Sequence, residues 1–332
     1  MSLRSLSLKR TLYTRRPYSQ QAVSNINLKA LDEWITKGLN VERTLNDFIA
    51  ISKLRDLYCT LPTRRLSPDL KEILAVDSCA DNVMKLGYGQ SLIYFHSHSP
   101  EENLRTDGTE TDFSPPAPFS RRMWASGGFE WHGAGLGVGK YARATAKVVK
   151  VDKKGFDKGA PMLFVHQDIV YKNVDGPKKG EITERRTHVF LPEGAVANKR
   201  SVRDIPMPKP DFSYSWMPTP TTLFRFSALT FNSHLIHLDK DYAQNQEGYP
   251  ERLVHGPLTA LMLLEGTVKN FPNVRFSNFE YRAQNPMIVG RRQTIHGAFE
   301  DGKKSATVWA ADDDGVVGMT GKVGIVDPSA VS

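Results

Sequence analysis

One order of elements occurs twice in this chain, and that repetition limits the fold more than any single motif. A helical stretch comes first, then a short aromatic strand, then a meander of longer strands. In the first half the aromatic strand is Gly128 to His132, and the meander is Tyr141 to Val151, Met162 to Tyr171 and Glu181 to Leu191. The alternation is plain in the first of these: Ala142, Ala144, Ala146 and Val148 share one face, while Arg143, Thr145 and Lys147 share the other. In the second half a helix over Gly256 to Asn270 precedes strands over Ser277 to Arg282, Val289 to Phe299, Ser305 to Ala311 and Val316 to Val326. Phe129-Glu130-Trp131 ahead of Val138-Gly139 matches Phe279-Glu280-Tyr281 ahead of Val289-Gly290, as one unit used twice would. Strands that come in a run and wrap one helix define an α+β architecture.

The length of 332 residues suits two domains. The expected division is a leader over 1–24, a first unit over 25–195, a Pro-rich linker over 196–222 and a second unit over 223–332. Leu28, Leu31, Trp34, Ile35 and Leu39 recur at helical steps, and Leu45 to Ile51 and Leu70 to Leu74 read as further helical pieces. Residues 99–118, polar and with three prolines after Ser114, read as an exposed, mobile loop.

Apolar residues make up 40% of the chain and charged ones 24%, a globular balance. No apolar run is long enough for a membrane span. The net charge of +8 is concentrated in Arg4, Lys9, Arg10, Arg15, Arg16 and Lys29, so no basic surface for nucleic acid is expected. The first 24 residues are rich in Arg and Ser and lack acid, the pattern of a mitochondrial transit peptide. Cys59 and Cys79 are too few for a disulfide framework or a Cys-based zinc site, and both are expected reduced and at least half-buried.

Candidate chemistry falls in Phe226 to Glu265. His234, His237 and His255 stand close together there, and Pro257 suits the first turn of a helix whose apolar face is Leu258, Leu261, Met262 and Val268. A histidine titrates near neutrality, and a helix N-terminus offers free N–H groups, so the pair forms a plausible acid/base site beside an oxyanion site. His234-x-x-His237 lacks an evident third metal ligand. Asp312-Asp313-Asp314-Gly315 fits a hairpin turn, and the glycines of 133–139 lead into a strand rather than a phosphate-binding helix.

The segment Asn232-Ser233-His234-Leu235-Ile236-His237-Leu238-Asp239, followed by Val254-His255-Gly256-Pro257, resembles the MaoC-like (R)-specific enoyl-thioester hydratases and dehydratases. In that family an Asp-x-Asn-Pro-Leu-His-x-Asp segment precedes a helix that starts near His-Gly. Arg121-Arg122-Met123-Trp124-Ala125 resembles part of the family's first unit, and the likeness runs over roughly 27–326. It implies a double hotdog, each unit a helix wrapped by an antiparallel sheet, with a degenerate first unit holding the acyl tail and a catalytic second one. It also implies His237 as the catalytic histidine, Gly256 as the oxyanion donor and Asp239 as the family's later Asp; His255 is read as fixing the loop at the substrate site rather than reacting. Asn232 stands where the family has its catalytic Asp, His234 where it has Asn and Leu235 where it has Pro. Asparagine cannot act as a base, so Asn232 orients a water for His237, or His234 takes the second role, or the site is weak.

The implied reaction is reversible loss of water from (3R)-hydroxyacyl thioesters, giving trans-2-enoyl thioesters in mitochondrial matrix fatty-acid synthesis. The substrate would be carried on acyl carrier protein or CoA, with no dissociable cofactor, and a homodimer is left open. Two alternatives stand beside it: a hotdog thioesterase, which needs a carboxylate near Gly256, and a non-catalytic acyl-carrier-binding protein, which Asn232 keeps in play.

Overall fold

A single antiparallel sheet of ten strands runs through the molecule, and its order is the same read from either edge. The computed structural model describes residues 26–39, 41–64, 84–133, 135–175, 181–192 and 204–331. The leader over 1–24, the helical piece Leu70 to Leu74 and Cys79 lie outside these residues.

In the first half, helix α1 (Leu28–Gly38) precedes strand β1 (Glu42–Phe48) and helix α2 (Ile51–Thr60). Strands β2 (Phe119–Trp131), β3 (Tyr141–Lys154), β4 (Met162–Asn173) and β5 (Ile182–Pro192) come next. In the second half β6 (Phe212–Trp216) leads to α3 (Pro220–Leu229), the short α4 (Leu235–Leu238) and the long α5 (Gly256–Asn270). Strands β7 (Phe276–Ala283), β8 (Gln293–Glu300), β9 (Ser305–Asp312) and β10 (Val317–Ile325) complete it. The sheet order is β1-β3-β4-β5-β2-β7-β10-β9-β8-β6. Each half therefore has the same internal order, and the halves meet where β2 pairs with β7. The two aromatic motifs lie at that junction, with Phe129 paired to Phe279 and Gly127 to Tyr281. This is the expected double hotdog.

The core forms around α5. Every residue from Leu258 to Thr267 is buried, and each fully buried leucine contributes about 1.5–3 kcal/mol as an upper estimate. Pro257 stands in the first turn, where a missing N–H costs nothing. Glu265 is also buried, and it is fully paired. Arg64 grips it at both oxygens, each at 2.7 Å, and Thr63 Oγ1 donates to it at 3.0 Å. These contacts tie α5 to the first half.

The first half has no counterpart to α5 among the described residues. Leu86 N–H donates to Leu136 O as Val254 N–H donates to Met287 O, so Gly87-Tyr88-Gly89 occupies the place of His255-Gly256-Pro257. The chain continues from there into only a short helical turn, Gln90–Ile93.

Three expectations are corrected. Leu45 to Ile51 does not start a helix: Glu42–Phe48 is an edge strand held by the register of β3, almost wholly exposed and so without alternation to read. The stretch 99–118 is ordered by long-range contacts, with Asp107 and Thr109 buried. Cys59 is exposed rather than half-buried. The stretch 196–222, Pro-rich by composition, also contains β6, whose partner is β8.

Candidate active site

Three histidine rings pack together at the start of α5. His255 is the residue before the helix, is completely buried, and its Nε2 lies 2.8 Å from Ser227 Oγ on α3. His237, on α4, lies over it with ring centroids 3.7 Å apart and planes 23° apart. His234 meets His237 edge-on at 5.4 Å. His237 Nδ1 is 2.8 Å from Leu253 O. A carbonyl can only accept, so Nδ1 carries the proton and Nε2 keeps its lone pair.

Burial sets the charge of this group. His237 is lowered to about 4 by burial, against an opposing contribution from its bond to the Leu253 carbonyl. His234 is held well below the usual imidazole range by burial, then by His237 and by Arg122, Arg105 and Arg121. His255 is lowered in the same direction by burial and then by its two histidine neighbours. All three are neutral at physiological pH, and a neutral imidazole can take a proton.

The helix start faces them. No side chain caps the first turn of α5, so its amides stay available, and the helix dipole favours negative charge there. Trp124 of β2 closes one side. A Cβ on Gly256 would stand 3.0 Å from Trp124 Cβ, Cγ and Cδ1, so only glycine fits there without displacement. Trp124 is pinned by its Nε1–H donating to Tyr281 OH at 3.1 Å and by the edge of His188 at 5.1 Å. Arg122 lies two residues before it on β2. Among the described residues its guanidinium makes no hydrogen bond or ion pair, and burial lowers its pKa. Arg121, on the opposite face, is paired with Glu247.

The residues expected from sequence divide in two. His234, His237, His255 and Gly256 come together. Asn232 stands beside them in a supporting role, its Oδ1 accepting from His234 N–H at 3.1 Å. Asp239 does not join them: it is exposed and its carboxylate accepts from Tyr242 N–H at 2.9 Å, capping the next turn of the chain. His255 is buried behind His237 and supports that ring. Sequence reasoning missed Asp107, whose Oδ2 is 3.9 Å from His234 Nε2, and Ser227. Asp107-Gly108 signals a turn, and nothing local says where that turn docks.

Neutral imidazoles beside uncapped helix amides, at the meeting of two hotdog units, are an arrangement suited to moving a proton next to a developing negative charge. The comparisons with known proteins narrow the class. Residues 89–289 match the family model described as hydroxyacyl-thioester dehydratase type 2. The chain belongs to that family, and it is a hydro-lyase. The mesaconyl-C(4)-CoA hydratase of Chloroflexus aurantiacus is 34% identical over 213 residues, covering 59% of this chain and 68% of that protein. The mitochondrial hydroxyacyl-thioester dehydratase type 2 of Schizosaccharomyces pombe is 28% identical over 269 residues, covering 72% and 87%. Among solved structures, the MaoC-like dehydratase of Phytophthora capsici has a TM-score of 0.63 at 14% identity, covering 90% of this chain and 99% of that one. A Mycobacterium tuberculosis protein described as a double hotdog has a TM-score of 0.53 at 13% identity, covering 87% and 97%. At such identities these two show the fold alone.

Proposed function

We propose that this protein interconverts (3R)-hydroxyacyl and trans-2-enoyl thioesters. The observation that carries the reading is His237, whose anchored Nδ1–H leaves Nε2 free beside the start of α5. In the dehydration direction Nε2 takes the proton from C2. The C2–H electron pair becomes the C2=C3 bond, and the hydroxyl leaves C3 with that same proton as water. Hydration is the reverse, and the enzyme ends unchanged. The thioester oxygen gains negative charge on the way. The Gly256 N–H and the helix dipole stabilise it, a contribution of roughly 2.7–4 kcal/mol for one such donor.

In this reading the first unit, with one helical turn where the second has α5, receives the acyl chain. Arg122, which makes no hydrogen bond or ion pair among the described residues, meets a polar part of the substrate. The relatives named for mitochondrial enzymes, together with the acid-free basic leader, support action in mitochondria, and the proposal places it in the matrix on substrates held by acyl carrier protein. The Chloroflexus relative is named for a CoA substrate, so both carriers belong in the test. The helices of the described residues include none long and apolar enough to cross a membrane.

The purified protein is mixed with a trans-2-enoyl thioester of CoA or of acyl carrier protein, and loss of enoyl absorbance is followed. Hydration supports the reading. Thiol release without hydration makes the protein a thioesterase, and binding without turnover makes it an acyl-binding protein. His237→Ala is expected to lower kcat by about 10²–10⁴-fold. Full activity in that variant removes the assignment.

A further inference from the structure

The site lacks a carboxylate where the segment around Asn232 would have to supply one, and a distant loop delivers another. This inference rests on the dehydratase reading above. We propose that Asp107 is the site's carboxylate, acting through His234 as a positioning residue that fixes which ring nitrogen faces the reacting hydroxyl or water.

The turn that carries Asp107 is docked onto the histidine segment. Leu235 N–H donates to Asp107 O at 2.9 Å, and Ser233 Oγ donates to Gly108 O at 2.6 Å. Gly108 has φ +77°, and a Cβ there would lie 2.2 Å from Ser233 O, so a side chain at this position would lift the turn away. The turn is closed on itself by Gly108 N–H to Arg105 O at 2.8 Å and Arg105 N–H to Thr109 O at 2.9 Å. Asp107 Oδ1 is fixed by Thr109 N–H at 2.9 Å and Thr109 Oγ1 at 2.6 Å. That leaves Oδ2 to face His234 Nε2 at 3.9 Å. His234 is fixed from the other side by its backbone bond to Asn232 Oδ1. Both partners are held, and the gap is of the kind that tightens to a hydrogen bond when substrate enters.

A carboxylate can only accept, so Asp107 favours the tautomer with the proton on Nε2 and the lone pair on Nδ1. Nδ1 then accepts from the O–H at C3 or from the water that replaces it. His234 aligns that oxygen and takes no net proton, which leaves the transfer at His237 balanced. The charged and titratable groups around His234 are His237 on its own segment, Arg105 on the docked turn, and Arg121 and Arg122 on β2. Arg121 is paired with Glu247, and Asp107 is the acidic group nearest the ring. The part left to Asn232 is to hold the backbone of His234.

The test is Asp107→Asn in the full chain. Its Oδ1 keeps both bonds to Thr109, so the docked turn survives, while its amide presents a donor to His234 Nε2. For trans-2-enoyl-CoA hydration kcat is expected to fall at least about tenfold with KM and Tm unchanged. Nitrogen NMR of His234 should show the proton moving from Nε2 to Nδ1. In the Asp107→Asn background, His234→Gln should cost little more, because the two act as one unit. Unchanged kcat, or an unchanged tautomer, overturns the proposal. An inactive wild-type protein would sink the dehydratase reading alone, since the NMR comparison needs no turnover and still decides whether Asp107 governs His234.

Discussion

Acid should weaken this protein through the same histidines that make it a base. An unfolded chain presents His237 with an imidazole pKa near 6.5, and the folded protein holds it at about 4. Between those values the unfolded state binds a proton that the folded state refuses. Stability therefore rises with pH across the window and falls as the solution is acidified from about pH 6.5 towards pH 4. Linkage puts the loss from His237 alone at about 2 kcal/mol between pH 7 and pH 5. His234, His255 and His188 are shifted in the same direction, so they deepen the fall. The lowered carboxylates Asp152, Glu251 and Glu300 lose their contribution only at lower pH, as the solution falls through their own range. The assay is urea unfolding at a series of pH values between 7 and 5, for the wild type and for His237→Gln. The wild type should lose at least about 2 kcal/mol, and the variant should lose about 2 kcal/mol less. A wild-type protein equally stable at both ends, or a variant that keeps the whole pH dependence, would refute the neutral buried stack and with it the base assigned to Nε2.

Two further substitutions probe the scaffold. Glu265→Ala breaks the buried Arg64–Glu265 pair and should cost about 3–5 kcal/mol in urea unfolding. The double change Arg64→Met with Glu265→Leu should recover most of that, and an equally unstable double variant would show the helix is held some other way. Gly256→Ala forces a methyl to 3.0 Å from three Trp124 atoms, an overpacking cost of about 1–3 kcal/mol. Because Trp124 is held by Tyr281, the displacement should fall on the helix start, and kcat should drop about tenfold or more. An unchanged kcat would show that the Gly256 amide does not meet the thioester.

β3 was legible because it buries one face, and burial writes its period into the residues, while α5, buried on every side, was legible from its dense apolar residues behind Pro257. Ala142, Ala144 and Val148 are buried as their alternation required, and Pro257 marked the helix start. β1 was unreadable for the same reason reversed: an exposed edge strand has no inward face to impose a pattern. β6 was hidden by the prolines around it, and its place depends on β8, far along the chain. In the site, His234, His237 and Gly256 could be found because they are close in sequence and fixed by one short segment. Asp107 and Trp124 could not, since what matters about them is a contact with a residue remote in sequence. A polar, Pro-rich loop looks mobile until the carbonyls of Asp107 and Gly108 are seen to receive Leu235 and Ser233.

The two halves of the duplicated plan also depend on each other. The described part of the first unit has a small core of its own around Leu31, Phe119 and Phe190, and it is tied to the other half as well: Arg64, Thr63 and Gln90 all reach across to Glu265 of α5. In return the first unit supplies what the second lacks. Trp124 walls the helix start, Arg122 offers a buried cation, and Asp107 brings a carboxylate to a segment that carries Asn232 instead. In the proposed mechanism the chemistry is thus divided between the halves, with the base and the oxyanion donor on one side and the groups that orient them on the other. The continuous pairing of β2 with β7 holds the two halves in register, so a change that loosens the junction at Phe129 and Phe279 is expected to shift Trp124 against Gly256 and lower kcat.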